Sequence, residues 1–416
     1  MALSQPGWTR WLSGRLLSLT LSIGLLAGCS GSDGPGFSSV SSDGGGNGDG
    51  DGSGRTASFP EVNDVVFSLV SDGAGGVYLG GRFSLVGQAP RQALAHVLTN
   101  GTVDPSWNPL PDGPVTALLL RDQTVYVGGD FFGLNGQERW RLAAVDRTTG
   151  ILTPWKPTLG NANLVNALAS SDGVVYVGGV FELVNAVVIP GTGLRGEGRR
   201  NLAAVDATAG VATPWNPNVF EGEVMALAVT GSLVYAGGSF DQVGLVGQDT
   251  IRLNLAAFDA GSGIATPWNP SVRGINGDVV QALLVTDNLI YVGGRFSEVG
   301  GQARDNLAAL DRTTGLATGF NVPTNDTVFT FSDDGRRVYV GGLFTTIGGQ
   351  PRGRLAAIDK TTGLLTSWNP NANGLVRSVV VSGGKVFVGG EFTTIGGQPR
   401  TMFAVLDPET GQLIGD

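Results

Sequence analysis

The stretch Val125–Phe131, V-Y-V-G-G-D-F, decides how this chain is read. It is a β-branched and aromatic run closed by a glycine pair, the composition of a short strand. Six further copies follow the same pattern: Val77–Phe83, Val175–Phe181, Val234–Phe240, Ile290–Phe296, Val338–Phe344 and Val386–Phe392. They start at 77, 125, 175, 234, 290, 338 and 386, in steps of 48, 50, 59, 56, 48 and 48. A fixed period of this length marks a repeat architecture.

Each copy sits in a longer unit. In the second unit, V-T-A-L-L-L (Val115–Leu120) precedes the heptapeptide, and R-L-A-A-V-D (Arg141–Asp146) and I-L-T-P-W-K-P (Ile151–Pro157) follow it. Turn residues separate these four runs, and no segment after Ser58 carries a helical period. The reading is all-β: a seven-bladed β-propeller of four-stranded antiparallel blades, whose radial closure leaves only short edges. A linear solenoid is the rival, but it uses shorter repeats and capping ends. The last unit stops at D-P-E-T-G-Q-L-I-G-D, before any W-N-P element. T-A-S-F-P (Thr56–Pro60) looks like a degenerate T-P-W-N-P, so an N-terminal strand is expected to close the ring as the outer strand of the last blade.

V-Y-L-G-G-R-F with L-A-H-V-L-T-N-G-T-V-D-P-S-W-N-P (Leu94–Pro109) resembles the delta-sixty repeat, a bacterial propeller family of unassigned function. The pattern A-x-D-x-x-T-G-x-x-x-x-W, seen at Ala144, Asp146, Thr149, Gly150 and Trp155, is similar to the tryptophan-docking turn of quinoprotein-type propellers, with one extra residue before the Trp. Together the resemblances cover about residues 60–416. They imply a fold and leave the chemistry open. The Trp becomes Phe320 in the fifth unit and is absent from the seventh, so docking is expected to be irregular there.

Composition narrows the function. The 416 residues carry net charge −9 with 15% charged residues, which argues against a nucleic-acid partner, since phosphates need a basic footprint. One His and one Cys leave little room for His-based metal sites, Cys–His nucleophiles or disulfides. No catalytic, cofactor-binding or metal residues are assigned, although calcium is admitted as possible. N-G-D-G-D-G (Asn47–Gly52) resembles the first half of a calcium loop, but Ser58 stands where the bidentate Glu is needed, and a linker is the better reading.

Residues 1–28 read as a signal peptide: Arg10 and Arg15 precede the apolar run Leu16–Ala27, too short for an ordinary membrane span. It ends L-A-G-C (Leu26–Cys29), which resembles the lipobox of bacterial lipoproteins; the resemblance implies lipidation of Cys29 and, with Ser30 next, sorting to the outer membrane. Residues 29–58, rich in Gly, Ser and Asp, read as a flexible tether, and residues 59–416 as the propeller.

An arginine stands three residues before the first large apolar residue of every third strand: Arg91, Arg139, Arg199, Arg252, Arg304, Arg352 and Arg400. A seven-fold ring of arginine could hold an anion on the axis. The favoured reading is a structural clamp, in which each Arg stacks on the repeated Phe or Trp and donates to loop carbonyls. The A-x-D carboxylate is expected to cap its own turn. His96, on the third strand of unit one, is expected to be structural, because a general base needs a nucleophile or substrate beside it.

If the repeat is framework, function belongs where it is interrupted. Phe-to-Arg spacing is 8 in five units, 18 in the third (Phe181 to Arg199) and 12 in the fourth (Phe240 to Arg252). The crossing from Trp268 to Ala282 is 14 residues against 10 in the shortest. These loops carry Arg195, Glu197, Asp249, Arg273, Asn276 and Asp278, the candidate binding lip. The expected protein is a monomeric cell-envelope lipoprotein, on the membrane through its lipid, whose propeller binds an envelope protein or a glycan without catalysis. The alternatives are a scaffold for outer-membrane assembly, a carboxylate-based polysaccharide-active enzyme and a quinoprotein-like dehydrogenase.

Overall fold

The computed structural model describes residues 59–190, 193–244, 250–274 and 277–415. The proposed signal peptide, Cys29 and the tether lie outside the described residues, as do Asp249 and Asn276. Among the described residues there is no helix, and so none long and apolar enough to cross a membrane.

Among the described residues, each repeated unit forms one three-stranded antiparallel sheet around its heptapeptide. In unit two, Val115–Arg121 pairs with Thr124–Gly129, which pairs in turn with Leu142–Asp146. The heptapeptide is thus the middle strand of each sheet. With neighbours on both edges, it is almost entirely buried. The β-branched and aromatic residues of the motif suit such a doubly flanked position.

The glycine pair has two separate purposes. A Cβ on the first glycine would run into Cγ1 of a valine heading the next sheet's first strand. Gly80 faces Val115, Gly128 faces Val165 at 2.5 Å, and so on through Gly341 and Val376. Gly389 then faces Val66, so the last sheet packs on the first and the sheets close in a cycle. The second glycine lies opposite a β-bulge, which recurs at the same address of every first strand, as at Val224/Ala226. There a Cβ would overlap a backbone carbonyl of the bulged strand, Pro114 against Gly129 and Glu223 against Gly238. The extra residues of the bulges converge. Phe67, Thr116, Asn166, Met225, Gln281 and Phe329 line one opening of about 230 Å³. Arg377, at the same address of unit seven, stacks over Phe67 and Phe329.

The fourth run is shorter than expected. It makes one bridge per unit, such as Val145↔Leu152 and Ile358↔Leu365, so the sheets are three-stranded with a single added pair. In units two to four a proline (Pro154, Pro214, Pro267) stands two residues after the bridge, but Gly319 and Ser367 hold that place in units five and six and the run is equally short there. The run's Trp instead docks on the next sheet. Trp155 Nε1 donates to Asp206 O at 2.9 Å, and Trp107, Trp215 and Trp368 do the same to Asp146, Asp259 and Asp407. Each indole also lies edge-on or tilted against a tyrosine of its own heptapeptide, Trp155 on Tyr126 at 5.0 Å. The Asp side chains cap these turns: Asp146 Oδ1 accepts from the Thr148 and Thr149 amides and the Thr149 hydroxyl.

The N-terminal segment was expected to supply or extend the outer strand of the last unit. Leu413 from the last unit itself bridges Leu406 there. Thr56–Ser58 lie outside the described residues. Phe59 is buried and packs edge-on against Phe387 at 5.8 Å, where other units set a Trp against a Tyr. Val62 N donates to Thr401 O, which ties the first residues to the last sheet.

Candidate functional site

Between the second and third strands each unit folds a small hairpin, and the largest length changes fall in these hairpins, with a smaller one in the crossing from Trp268 to Ala282. In units one, two, six and seven the hairpin is two residues per strand. In units three to five the preceding crossing adds a third strand: Leu159–Gly160, Val219–Phe220 and Val272–Arg273. The third-unit hairpin is the longest, Leu183–Ile189 paired with Gly193–Gly198.

That hairpin walls a cleft of about 600 Å³ against unit two. Glu138, Trp140, Pro154, Lys156 and Thr158 form one side; Asn185–Val188 and the turn Ala209–Val211 form the other. The cleft lies just outside the Trp155 dock, because Gly210 packs against both Trp155 and the Lys156 backbone. Trp140 is half-buried, and its indole N–H donates to Glu138 Oε1 at 2.7 Å. Lys156 Nζ holds the other oxygen of Glu138 at 3.2 Å. These two partners keep the Glu138 carboxyl below its ordinary range. Val187 and Val188 are 55% and 64% exposed, so the hairpin brings apolar surface to the rim. At the same address between units four and five lies a smaller cleft of about 350 Å³, lined by Arg273, Glu298 and Ser271 among others, with no aromatic residue.

The candidate lip residues divide between these places. Arg195 and Glu197 are exposed on the outer strand of the third-unit hairpin; Glu197 accepts from Arg199 Nη2 at 3.0 Å and from Asn185 Nδ2 at 3.3 Å. Arg273 lines the smaller cleft, and Asp278 is half-buried in the same crossing. Among the described residues no hydrogen bond or ion pair joins the two pairs. Trp140, Glu138 and Lys156 were not foreseen. The available sign was Trp140 itself, directly after a repeated arginine, where other units have Gln92, Arg200, Leu253, Asp305, Gly353 or Thr401.

The seven arginines sit at one address. Arg91, Arg139, Arg199, Arg252, Arg304 and Arg352 each give Nη1 to the carbonyl just before them and Nη2 to a carbonyl on the fourth run. Arg400 reaches Gly415 O at 3.4 Å. Their donors point into their own units rather than toward a shared anion. The cation–π contacts found belong to other arginines, such as Arg141 over Phe132. Two residues after each Arg, a left-handed residue returns its N–H to the repeated Phe carbonyl, Asn254 to Phe240 for example.

His96 is buried. Its Nε2 lies 3.1 Å from Asp72 and its Nδ1 3.1 Å from Asp104, with the ring stacked on Tyr78. Ser106 donates to Asp104, not to the imidazole, so a Ser–His–Asp relay is not formed here. Among the described residues there is no cluster of three or more His, Cys, Asp or Glu arranged for a metal ion.

No family model and no curated protein matches the chain. Solved structures do. A chain of the mitotic checkpoint complex matches with TM-score 0.51 at 15% identity, over 83% of this chain and 93% of that one. The computationally designed Ika8 protein matches with TM-score 0.49 at 17% identity, over 86% and 89%. The WD40 β-propeller domain of Doa1 matches with TM-score 0.47 at 15% identity, over 81% and 94%. The likeness is one of fold. The chain, whose sheets pack in a cycle with Gly389 of the last against Val66 of the first, is a β-propeller.

The propeller should be acid-sensitive. Burial raises the Asp72 carboxyl, but hydrogen bonds from His96 and the Ala74 and Gly76 amides outweigh it and hold it below its ordinary value. Asp104 is depressed in the same way, with Ser106 and His96 as partners. In the turns, Asp146, Asp206, Asp259, Asp311, Asp359 and Asp407 are lowered mainly by hydrogen bonds within those turns. A carboxyl lowered by folding stabilises above its unfolded value of about 3.9, and that contribution is lost as pH falls through the folded value. Thermal melts should therefore be flat from neutral pH to about 5 and fall steeply below about 4. The Asp72→Asn protein should be less stable at neutral pH and show a shallower acid decline. A parallel decline would refute the assignment.

Proposed function

We propose that this chain is a seven-bladed propeller of the delta-sixty type, each blade completed by its one-pair fourth run. In this reading Cys29 is lipidated and residues 29–58 tether a non-catalytic module to the bacterial cell envelope, where it binds an envelope protein or a glycan. The observation that carries the reading is the division of labour in the repeat. The repeated Phe, Gly pair, Arg, Asp and Trp are spent on sheet packing and turn capping. The one large departure, the third-unit hairpin, builds the cleft of about 600 Å³.

Shortening that hairpin to the eight-residue Phe-to-Arg spacing of unit two should leave the melting temperature within a few degrees. Capture of the partner from detergent-solubilised envelopes should then be lost. Unchanged capture by the shortened, folded protein would overturn the reading.

A further inference from the structure

We propose that the Trp140 cleft binds a neutral, hydroxyl-rich saccharide, with a pyranose ring held against the indole. The proposal rests on the cleft being the binding face and adds the ligand's chemistry.

Three observations lead there. First, Trp140 stands apart from the other tryptophans of the described residues. Trp107, Trp155, Trp215, Trp268 and Trp368 pack over the glycine of the next sheet's turn, and they are buried. Trp140 instead lines an open cleft, its ring fixed by the bond to Glu138. An indole on a wet surface is an amphipathic platform that suits a ligand with an apolar face and a polar edge.

Second, the unused hydrogen-bonding capacity around it is rich in acceptors. Glu138 takes one bond on each oxygen and has lone pairs left. Asn185 spends its amide N–H on Glu197, which leaves its carbonyl oxygen. Thr158 gives its hydroxyl proton to Ala186 O at 2.7 Å and can still accept. Such a rim satisfies a ligand that brings many O–H donors. Lys156 keeps spare donors for ring and hydroxyl oxygens.

Third, Glu138 and Lys156 already neutralise one another, so the cleft offers a polyanion no unpaired cation. Val187, Val188, Pro154 and Val211 complete an apolar lining. The volume of about 600 Å³ falls within the range of roughly 300–1,000 Å³ usual for small-ligand sites.

The test is calorimetric titration of the purified chain with cellotetraose, mannobiose, galactobiose and N,N′-diacetylchitobiose, with digalacturonic acid as the charged counterpart. At least one neutral saccharide should bind and quench tryptophan fluorescence. Trp140→Ala should weaken that binding at least tenfold, Trp140→Phe should retain part of it, and Glu138→Gln should weaken it without unfolding the protein. Equal binding by Trp140→Ala, or binding of the uronate alone, would overturn the proposal. If no saccharide binds while the shortened hairpin still abolishes envelope capture, the saccharide claim fails and the binding face stands. If neither effect appears, both fail.

Discussion

Gly238→Ala should prevent this protein from folding at ordinary temperatures. Gly238 sits in the middle strand of its sheet, fully flanked, opposite the bulge at Val224/Ala226. A methyl there would overlap the carbonyl oxygen of Glu223, a backbone atom held by the pairing on either side. Overpacking a core by a methylene costs about 1–3 kcal/mol when side chains can shift. Here the obstruction is backbone, so the cost should exceed about 3 kcal/mol. Gly231→Ala provides the contrast: nothing lies within 4 Å of its added carbon, and only its left-handed φ of 55° opposes the change. Circular dichroism melts of both variants would check this. Comparable stability of Gly238→Ala and the parent would remove the bulge–glycine pairing from the account.

Trp155→Ala should be the second most damaging change, at about 3–5 kcal/mol. The side chain is 3% exposed, it lies edge-on to Tyr126, and its N–H serves the Asp206 carbonyl of the next sheet. Removal opens a cavity between two sheets and takes one of two donors from that carbonyl, which keeps the Gly210 amide. Trp268 lies over Gly315 but its indole N–H finds no acceptor, so Trp268→Ala should cost less than Trp155→Ala by roughly one hydrogen bond, about 1 kcal/mol.

Much of the framework was legible because it is written seven times. The period marked each repeated unit, and the heptapeptide marked the middle strand of its main sheet. The turn role of the A-x-D residues followed from their T-G partners. The cyclic packing of sheets was implied by the repeat, but its physical cause was not: only the coordinates show Gly389 against Val66. The fourth run was read as a strand on composition alone, and only the coordinates show that it makes a single bridge in each unit. The exchange at the ring's end was half visible. Phe59 stands near the Trp position of a degenerate motif, yet Leu413 takes the outer edge.

The candidate site was less legible, for a physical reason. Insertions announce themselves by length, and the third-unit hairpin was found that way. The opposite wall of its cleft carries no insertion. Glu138, Trp140 and Lys156 come from a unit of ordinary spacing and approach the hairpin only because adjacent sheets pack side by side. Polar content singled out Arg195 and Arg273, whereas the aromatic and apolar surface of the cleft comes from Trp140, Val187 and Val188.

The central claim is that repeated positions hold the ring and the off-repeat aromatic serves the site. It is tested most directly by comparing the thermal stabilities of the Trp140→Ala and Trp155→Ala proteins. Trp140→Ala should lose about 1 kcal/mol or less, in keeping with a surface position. Trp155→Ala should lose about 3–5 kcal/mol. Equal losses at the two positions would place Trp140 in the framework and contradict the central claim.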